Sequence, residues 1–287
     1  MRVETLGDGT PEVAVAGAIH GDEPCGVRAI ERFLESDLAD AVERPVKLIV
    51  ANERALDAGE RYVEADVNRV FPGDPDSEVH EERLAHDLLA EIDGCATLGF
   101  HSTVSTDEAF GTLADLTPRK AEIMRALPVA HAADFTGVVE GRSVNLPEFV
   151  NVEAGYQGSA QAAANAYDCL VAYLRLTDVL PGAPDPTPTD CYRVREVVRK
   201  DPGADYEVYA ENFERVAPGE AYAATTDGDR ELAADREFWP VLMSATGHSS
   251  LLGYEADYAG EIGDVASGDA DGPTAKGDEQ SGTPTSD

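Results

Sequence analysis

The chain has 287 residues, 43% of them hydrophobic, enough for one large domain or two smaller ones. Lysine and arginine number 22 against 56 aspartates and glutamates, a formal charge of −34 that disfavours nucleic acid and anionic membranes as partners. The sequence has no apolar run of about 18 residues, and Met1-Arg2-Val3-Glu4-Thr5 lacks the apolar stretch of a secretion signal, so a soluble cytoplasmic protein is expected. Acids are spread through the predicted helices as well as the tail; the lysines are Lys47, Lys120, Lys200 and Lys276, and every other cation is arginine. Such a chain repels itself at low salt and suits a halophilic, high-salt cytoplasm, where the Debye length falls to about 3 Å at 1 M. Cys25, Cys95, Cys169 and Cys191 are far apart and form no C-x-x-C pair, which argues against a cysteine-type zinc site or a disulfide framework and for buried small apolar residues.

In chain order, residues 12–19 are a near-continuous apolar run, a buried strand, and residues 24–34 follow as a helix with Val27, Ile30 and Leu34 on one face. Residues 46–51 are a second strand, 81–92 a helix with a Leu84-Leu88-Leu89-Ile92 stripe, and 96–100 a short strand ending at His101. Residues 117–127 form a helix capped by Thr117 with Pro118 at its first position; 149–153 are a strand and 159–176 an Ala-rich helix. This alternation predicts an α/β fold with a mixed, mostly parallel sheet flanked by helices over residues 1–180. Residues 181–190 read as a stiff Pro-rich linker, 191–262 as a smaller β-rich C-terminal domain, and 263–287 as a disordered acidic tail.

The segment Gly17-Ala18-Ile19-His20-Gly21-Asp22-Glu23-Pro24 places His20 and Glu23 three residues apart just after the first buried strand. Imidazole and carboxylate are good zinc donors, and α/β sheets place their sites at the carboxyl ends of strands. The same pair also suits a solvated loop histidine followed by a helix-start acid. His101, in Gly99-Phe100-His101-Ser102-Thr103, belongs to the same rim, while His86, in a predicted helix, and His80, beside acidic neighbours, read as surface residues, and His131 and His248 are given no role. In Arg61-Tyr62-Val63-Glu64-Ala65-Asp66-Val67-Asn68-Arg69 the charges make either a salt-bridged loop or a site in which Arg69 is a planar fork for a substrate carboxylate, Asn68 hydrogen-bonds beside it and Arg61 polarises a carbonyl. Glu153, in Asn151-Val152-Glu153-Ala154-Gly155, is either a proton acceptor for activated water or an acid at the start of the next helix.

Together, G-A-I-H-G-D-E-P, R-Y-V-E-A-D-V-N-R, the strand-end His101 with Ser102-Thr103, and V-E-A-G occur in the order and rough spacing of the succinylglutamate desuccinylase/aspartoacylase family, which the chain resembles over about residues 12–176. That family belongs to the zinc carboxypeptidase-like hydrolases. The resemblance implies one zinc ion per chain on His20, Glu23 and His101, with Glu153 as general base and Asp66 orienting a ligand histidine. It implies that Asn68 and Arg69 hold the substrate carboxylate, that Arg61 stabilises the polarised carbonyl, and that Arg142 binds a carboxylate on the acyl side. Two departures stand out: Glu53 replaces the proline of the family's N-P-R before Arg54, and Gly99-Phe100 replaces Asp-Leu before His101. Tyr254 or Tyr258 is the expected pocket tyrosine of the C-terminal part. The implied activity is zinc-dependent hydrolysis of a small anionic N-acyl amino acid; a metallocarboxypeptidase and a non-catalytic zinc- or metabolite-binding module are the alternatives. The acyl group, the amino acid and the oligomeric state are not encoded in any motif.

Overall fold

In the computed structural model, residues 1–139 and 142–268 are described. Strand β1 (Arg2–Leu6) leads to β2 (Val13–Gly17), the strand that the first apolar run predicts. Helix α1 (Cys25–Leu34), β3 (Val46–Val50), the short helices α2 (Glu53–Ala58) and α3 (Val67–Val70), and α4 (His80–Ile92) follow. Then come β4 (Ala96–Thr103), β5 (Phe110–Leu113), α5 (Pro118–Ala126), β6 (His131–Asp134), β7 (Phe149–Tyr156) and α6 (Ala160–Leu176). The rest is β8 (Asp190–Arg199), β9 (Tyr206–Val208), β10 (Ala221–Thr225), β11 (Glu231–Ala233), β12 (Trp239–Val241), β13 (Leu251–Glu261) and the short helix α7 (Ile262–Ser267). The long helices begin on side-chain caps where the sequence offers them: Thr117 accepts from the Lys120 amide and Ser159 from the Ala162 amide.

Ten strands form one sheet in the order β1-β3-β2-β4-β7-β5-β6-β8-β13-β12. Its centre is parallel, while β1, the β7–β5 pair and the β8–β13–β12 end are antiparallel. Helices cover both faces of the parallel part, so its strands are apolar on both sides. Val13 and Val15 pack with Ile30 and Phe33 of α1 and Leu170 and Leu174 of α6; Ala14 and Ala16 pack with Leu84 and Leu88 of α4. Two glycines let α1 lie close to the sheet. A Cβ at Gly17 would sit 2.8 Å from the Gly26 carbonyl carbon, and one at Gly26 would sit 2.6 Å from Phe100 Cβ.

The C-terminal part is β-rich, as expected, but its long strands are not a separate body. β8 pairs in parallel with β6, so β8, β13 and β12 extend the sheet of the first part. One apolar cluster mixes Phe110, Phe135 and Val144 with Tyr192, Val194 and Tyr254, and only β9, β10 and β11 form a small sheet of their own. The Pro-rich segment therefore does not divide two cores: Thr187 donates its amide to Arg125 O and the buried Thr189 hydroxyl donates to Val129 O. Proline content made this stretch stiff, and hydrogen bonds to the α5–β6 region fix it against the main body. The expected disordered tail is corrected over its first residues, because α7 forms there with Ile262 fully buried and Val265 and Ala266 packed on the core. The remainder of that tail lies outside the described residues.

Candidate metal centre

β2 ends at Gly17, and Ala18 takes a left-handed conformation (φ 51°) that turns the chain over the sheet rim. The turn carries His20 and Glu23, and α1 starts directly after it. β4, the neighbour of β2, carries His101. The strand does not stop at His101, as expected, but runs to Thr103, because the pairing with β7 continues through His101↔Glu153 and, past a bulge, to Thr103↔Tyr156. That register sets Glu153 directly beside His101.

His20, Glu23 and His101 are each almost fully buried and offer donor atoms that all lie within 4.8 Å of one another. His20 Nδ1 is 2.9 Å from Glu23 Oε1, His101 Nδ1 is 2.9 Å from Glu23 Oε2, and the two Nδ1 atoms are 3.2 Å apart. Two imidazoles and a carboxylate, buried and aimed at one point, are a donor set that fits zinc with an open fourth position. Asp66 Oδ1 lies 3.1 Å from His20 Nε2; accepting a proton there leaves Nδ1 as the lone-pair donor. His101 Nε2 is buried and has no partner among the described residues. This is where Gly99 matters. A side chain at residue 99 would overlap Asn151 Oδ1 and come within 2.6 Å of Phe149 Cε1, so the Asn151 amide, donating to Ser143 Oγ, fills the space that an acid would take.

Arg61 threads between these groups. Its Nη1 donates to Glu23 Oε1 at 3.0 Å and its Nε to Asp66 Oδ2 at 3.2 Å. Burial lowers the pKa of this guanidinium, but Glu23 and Asp66 outweigh it and raise it. Burial likewise pushes His20 down, and the Glu23 carboxylate with the bonds to Asp66 and Glu23 carries it up to about 8. Burial pushes Glu23 up, yet the two imidazoles hold it well below the usual carboxylate range. His101 is lowered by burial. Glu153, largely buried at the rim, is pushed up to about 8 by burial and by the nearby Glu23.

Beside the triad opens a cleft of about 190 Å³ that reaches Asn68, Arg69, Arg142, Glu153 and Tyr254. Asn68 Oδ1 accepts from the Ser143 amide, which leaves its Nδ2 to donate into the cleft. Arg69 touches Asp66 only at 3.8 Å and is lowered by burial and by Arg142. Arg142 Nη1 donates to Tyr254 Oη at 3.0 Å. Tyr254 is thus the tyrosine that lines the cleft; Tyr258 instead donates to Asp190 and packs against Tyr192 and Trp239. Apart from the alternative Tyr258, every residue singled out from sequence for the site lines this cleft or, as Asp66 does, hydrogen-bonds to one that does.

The sequence did not point to the loop after β12, which brings Leu242, Ser244, Thr246 and His248 to the cleft mouth. It is a polar turn like many others, and only the sheet continuing through β13 carries it there. His80 is not a free surface residue, since its Nε2 lies 3.3 Å from Asn52 Oδ1; His86 is exposed, and His131 stacks on Phe213. A larger groove, about 460 Å³, between α5, α7 and the Pro-rich segment is mostly apolar, with Glu122 and Arg125 as its charged lining residues. It offers no metal-ligating cluster.

Residues 9–133 match the model of the succinylglutamate desuccinylase/aspartoacylase catalytic domain. A succinylglutamate desuccinylase from Pseudomonas aeruginosa is 30% identical over 118 residues, 36% of this chain and 34% of that protein, so the match spans about a third of the relative's length. The fold is similar to that of a succinylglutamate desuccinylase/aspartoacylase from Rhodobacter sphaeroides, with a TM-score of 0.72, 20% identity and coverage of 89% of this chain and 88% of that one. It is similar also to the product-bound ectoine utilization protein EutE (DoeB) from Ruegeria pomeroyi, with a TM-score of 0.74, 21% identity and 88% of each chain covered. Among the described residues no helix is long and apolar enough to cross a membrane.

Proposed function

We propose that this chain, whose residues 9–133 match the succinylglutamate desuccinylase/aspartoacylase catalytic domain, is a member of that family and hydrolyses the amide bond of a small N-acyl amino acid with one zinc ion per chain. The observation that carries this reading is the convergence of His20, Glu23 and His101 within 4.8 Å, with Glu153 paired to His101 on the next strand. Zinc, when bound there, supplies Lewis acidity and brings the pKa of water towards about 7.

Glu153 takes the proton from the attacking water and returns it to the leaving amine. In the metal-free protein burial and the nearby Glu23 push its pKa up to about 8; a cation held by His20, Glu23 and His101 would lower it and leave the carboxylate ionised to accept that proton. Arg61 swings its guanidinium from Glu23 to the oxygen that becomes negative as the acyl carbon turns tetrahedral, an electrostatic effect typically worth several kcal/mol. Asp66 keeps the His20 ring oriented. Asn68 Nδ2 and Arg69 hold the carboxylate of the amino acid, and Arg142, steadied by Tyr254, receives a carboxylate on the acyl side. Arg61, Arg69 and Arg142 at one cleft, in a chain with 22 cations against 56 acids, favour an anionic substrate. The loop carrying Ser244, Thr246 and His248 narrows the mouth, which favours a small substrate over the end of a peptide.

The test is metal analysis of the purified protein, with release of free amino acid from acetyl-, succinyl- and formyl-amino acids measured with and without chelator. One zinc per chain and chelator-sensitive release are expected. Activity unaffected by chelator would refute the reading. Full zinc loading without any release would leave the non-catalytic binding module in its place.

A further inference from the structure

We propose that Glu81 is a positioning residue: its buried carboxylate grips the backbone of residues 63–65 and through it sets where Arg61, Asp66, Asn68 and Arg69 stand over the cleft. The proposal deepens the hydrolase reading and rests on it for the roles of those four side chains.

The segment from Arg61 to Arg69 carries much of the proposed substrate-facing chemistry, yet apolar packing does little to hold it. Tyr62 and Val63 are 43% and 39% exposed, Glu64 is exposed, and in this stretch only Val67 is buried. Besides the polar bonds of Arg61, Asp66 and Asn68, the segment is held through its main chain. Glu81, on the first turn of α4, is fully buried. Its Oε1 accepts from the Val63 amide at 2.7 Å, and its Oε2 accepts from the Glu64 and Ala65 amides, both at 3.1 Å. Asn52, at the end of β3, donates its Nδ2 to the same carboxylate at 3.2 Å. The clasp is reciprocal, because Glu64 Oε2 accepts the His80 amide at the start of α4.

Burial pushes the Glu81 carboxyl up, but the three amides and Asn52 outweigh it and keep the group ionised, below its ordinary value. Glu81 does not line the cleft, so it acts on the reaction only through the segment it holds. On one side of the grip stands Arg61, whose carbonyl accepts the Gly21 amide of the His20–Glu23 turn; on the other Asp66 caps α3, on which Asn68 and Arg69 sit. An ordinary helix-start acid, which the sequence suggests for this position, would face solvent.

The test uses Glu81→Gln and Glu81→Asp in the full, zinc-loaded chain. Glutamine keeps one acceptor oxygen and turns an NH₂ towards amides that need an acceptor; aspartate keeps the charge but retracts it by one methylene. The metal ligands lie outside residues 63–65, so zinc content should stay at the wild-type value in both variants. KM for the best N-acyl amino acid, and the inhibition constant of its free amino acid product, should rise at least tenfold in Glu81→Gln, more than kcat falls, and less in Glu81→Asp. Arg69→Ala should then add little in the Glu81→Gln background although it raises KM strongly alone. If Glu81→Gln does not fold, Glu81→Asp decides by the same measurements. A folded variant with wild-type KM and inhibition constant, and an undiminished Arg69→Ala effect, would reduce Glu81 to a support of the fold and overturn the proposal. If the wild type releases no amino acid from any N-acyl substrate, the hydrolase reading fails separately, and the grip is then read from hydrogen exchange at the Val63, Glu64 and Ala65 amides. These should exchange at least a hundredfold faster in the variants; unchanged protection would overturn the grip itself.

Discussion

Gly21 is the position at which backbone packing bears most directly on the metal ligands. It lies between His20 and Glu23, and its backbone rests on α2. A Cβ there would stand 2.5 Å from the Ala55 carbonyl oxygen and closer still to the Ala55 carbonyl carbon and the Leu56 nitrogen, where ordinary contact begins at 3.4 Å. All three obstacles are main-chain atoms, so no side chain can rotate aside. In Gly21→Ala the turn must move by about 1 Å, against the Gly21-to-Arg61 backbone hydrogen bond on its other side. Overpacking of this kind costs about 1–3 kcal/mol, which in a chain of this size is a drop in Tm of about 2–5 °C. The same displacement separates His20 Nδ1 from Glu23 Oε1, so zinc affinity should fall at least tenfold, the scale of losing groups that orient a ligand. Zinc competition titrations and thermal melts with and without metal would measure both effects. Gly59→Ala is the control: its φ of 66° makes alanine costly by about 1 kcal/mol, but nothing lies within 4 Å and no ligand is near. Wild-type zinc affinity in a folded Gly21→Ala would show that the turn does not set the ligand geometry.

Glu153→Gln should abolish turnover while zinc stays bound; unchanged turnover would remove Glu153 as the base. The same variant has a pH signature in the chelator-treated protein. Folding raises the Glu153 pKa from 4.5 to about 8, so the folded state binds this proton more tightly, and the associated stability is full below about pH 4.5 and lost as pH rises towards 8. Glu153→Gln should therefore gain on the wild type progressively over that window, by a few kcal/mol at most, in denaturant titrations; a difference that does not change with pH would contradict the buried, proton-holding carboxyl. The charge of −34 makes stability salt-dependent: the denaturation midpoint should rise with KCl into the molar range, and maximal stability without salt would end the halophilic reading. Among the described lysines, Lys47 pairs with Glu91 at 2.9 Å, while Lys200 and the buried Lys120 donate to backbone carbonyls.

Local signals sufficed wherever a feature depends on near neighbours in the chain. The apolar run of β2, the amphipathic stripe of α4 and the caps at Thr117 and Ser159 are short-range patterns, and each appears where the residues call for it. Motif order was enough to single out His20, Glu23, His101 and Glu153, because parallel strands with helical crossovers bring successive strand ends to one rim. Other features depend on which distant strands pair. That β8 and β13 continue the main sheet, that Tyr254 rather than Tyr258 faces the cleft, and that Asn151 occupies the space beside Gly99 all follow from register across strands far apart in sequence. Glu81 shows the difference most sharply. Its type and helix-start position are those of a solvated acid, and only burial against three amides of a loop that ends 16 residues earlier makes it a clasp. Periodicity reports which face of an element is apolar; it carries no information on which remote backbone donors will need a buried acceptor.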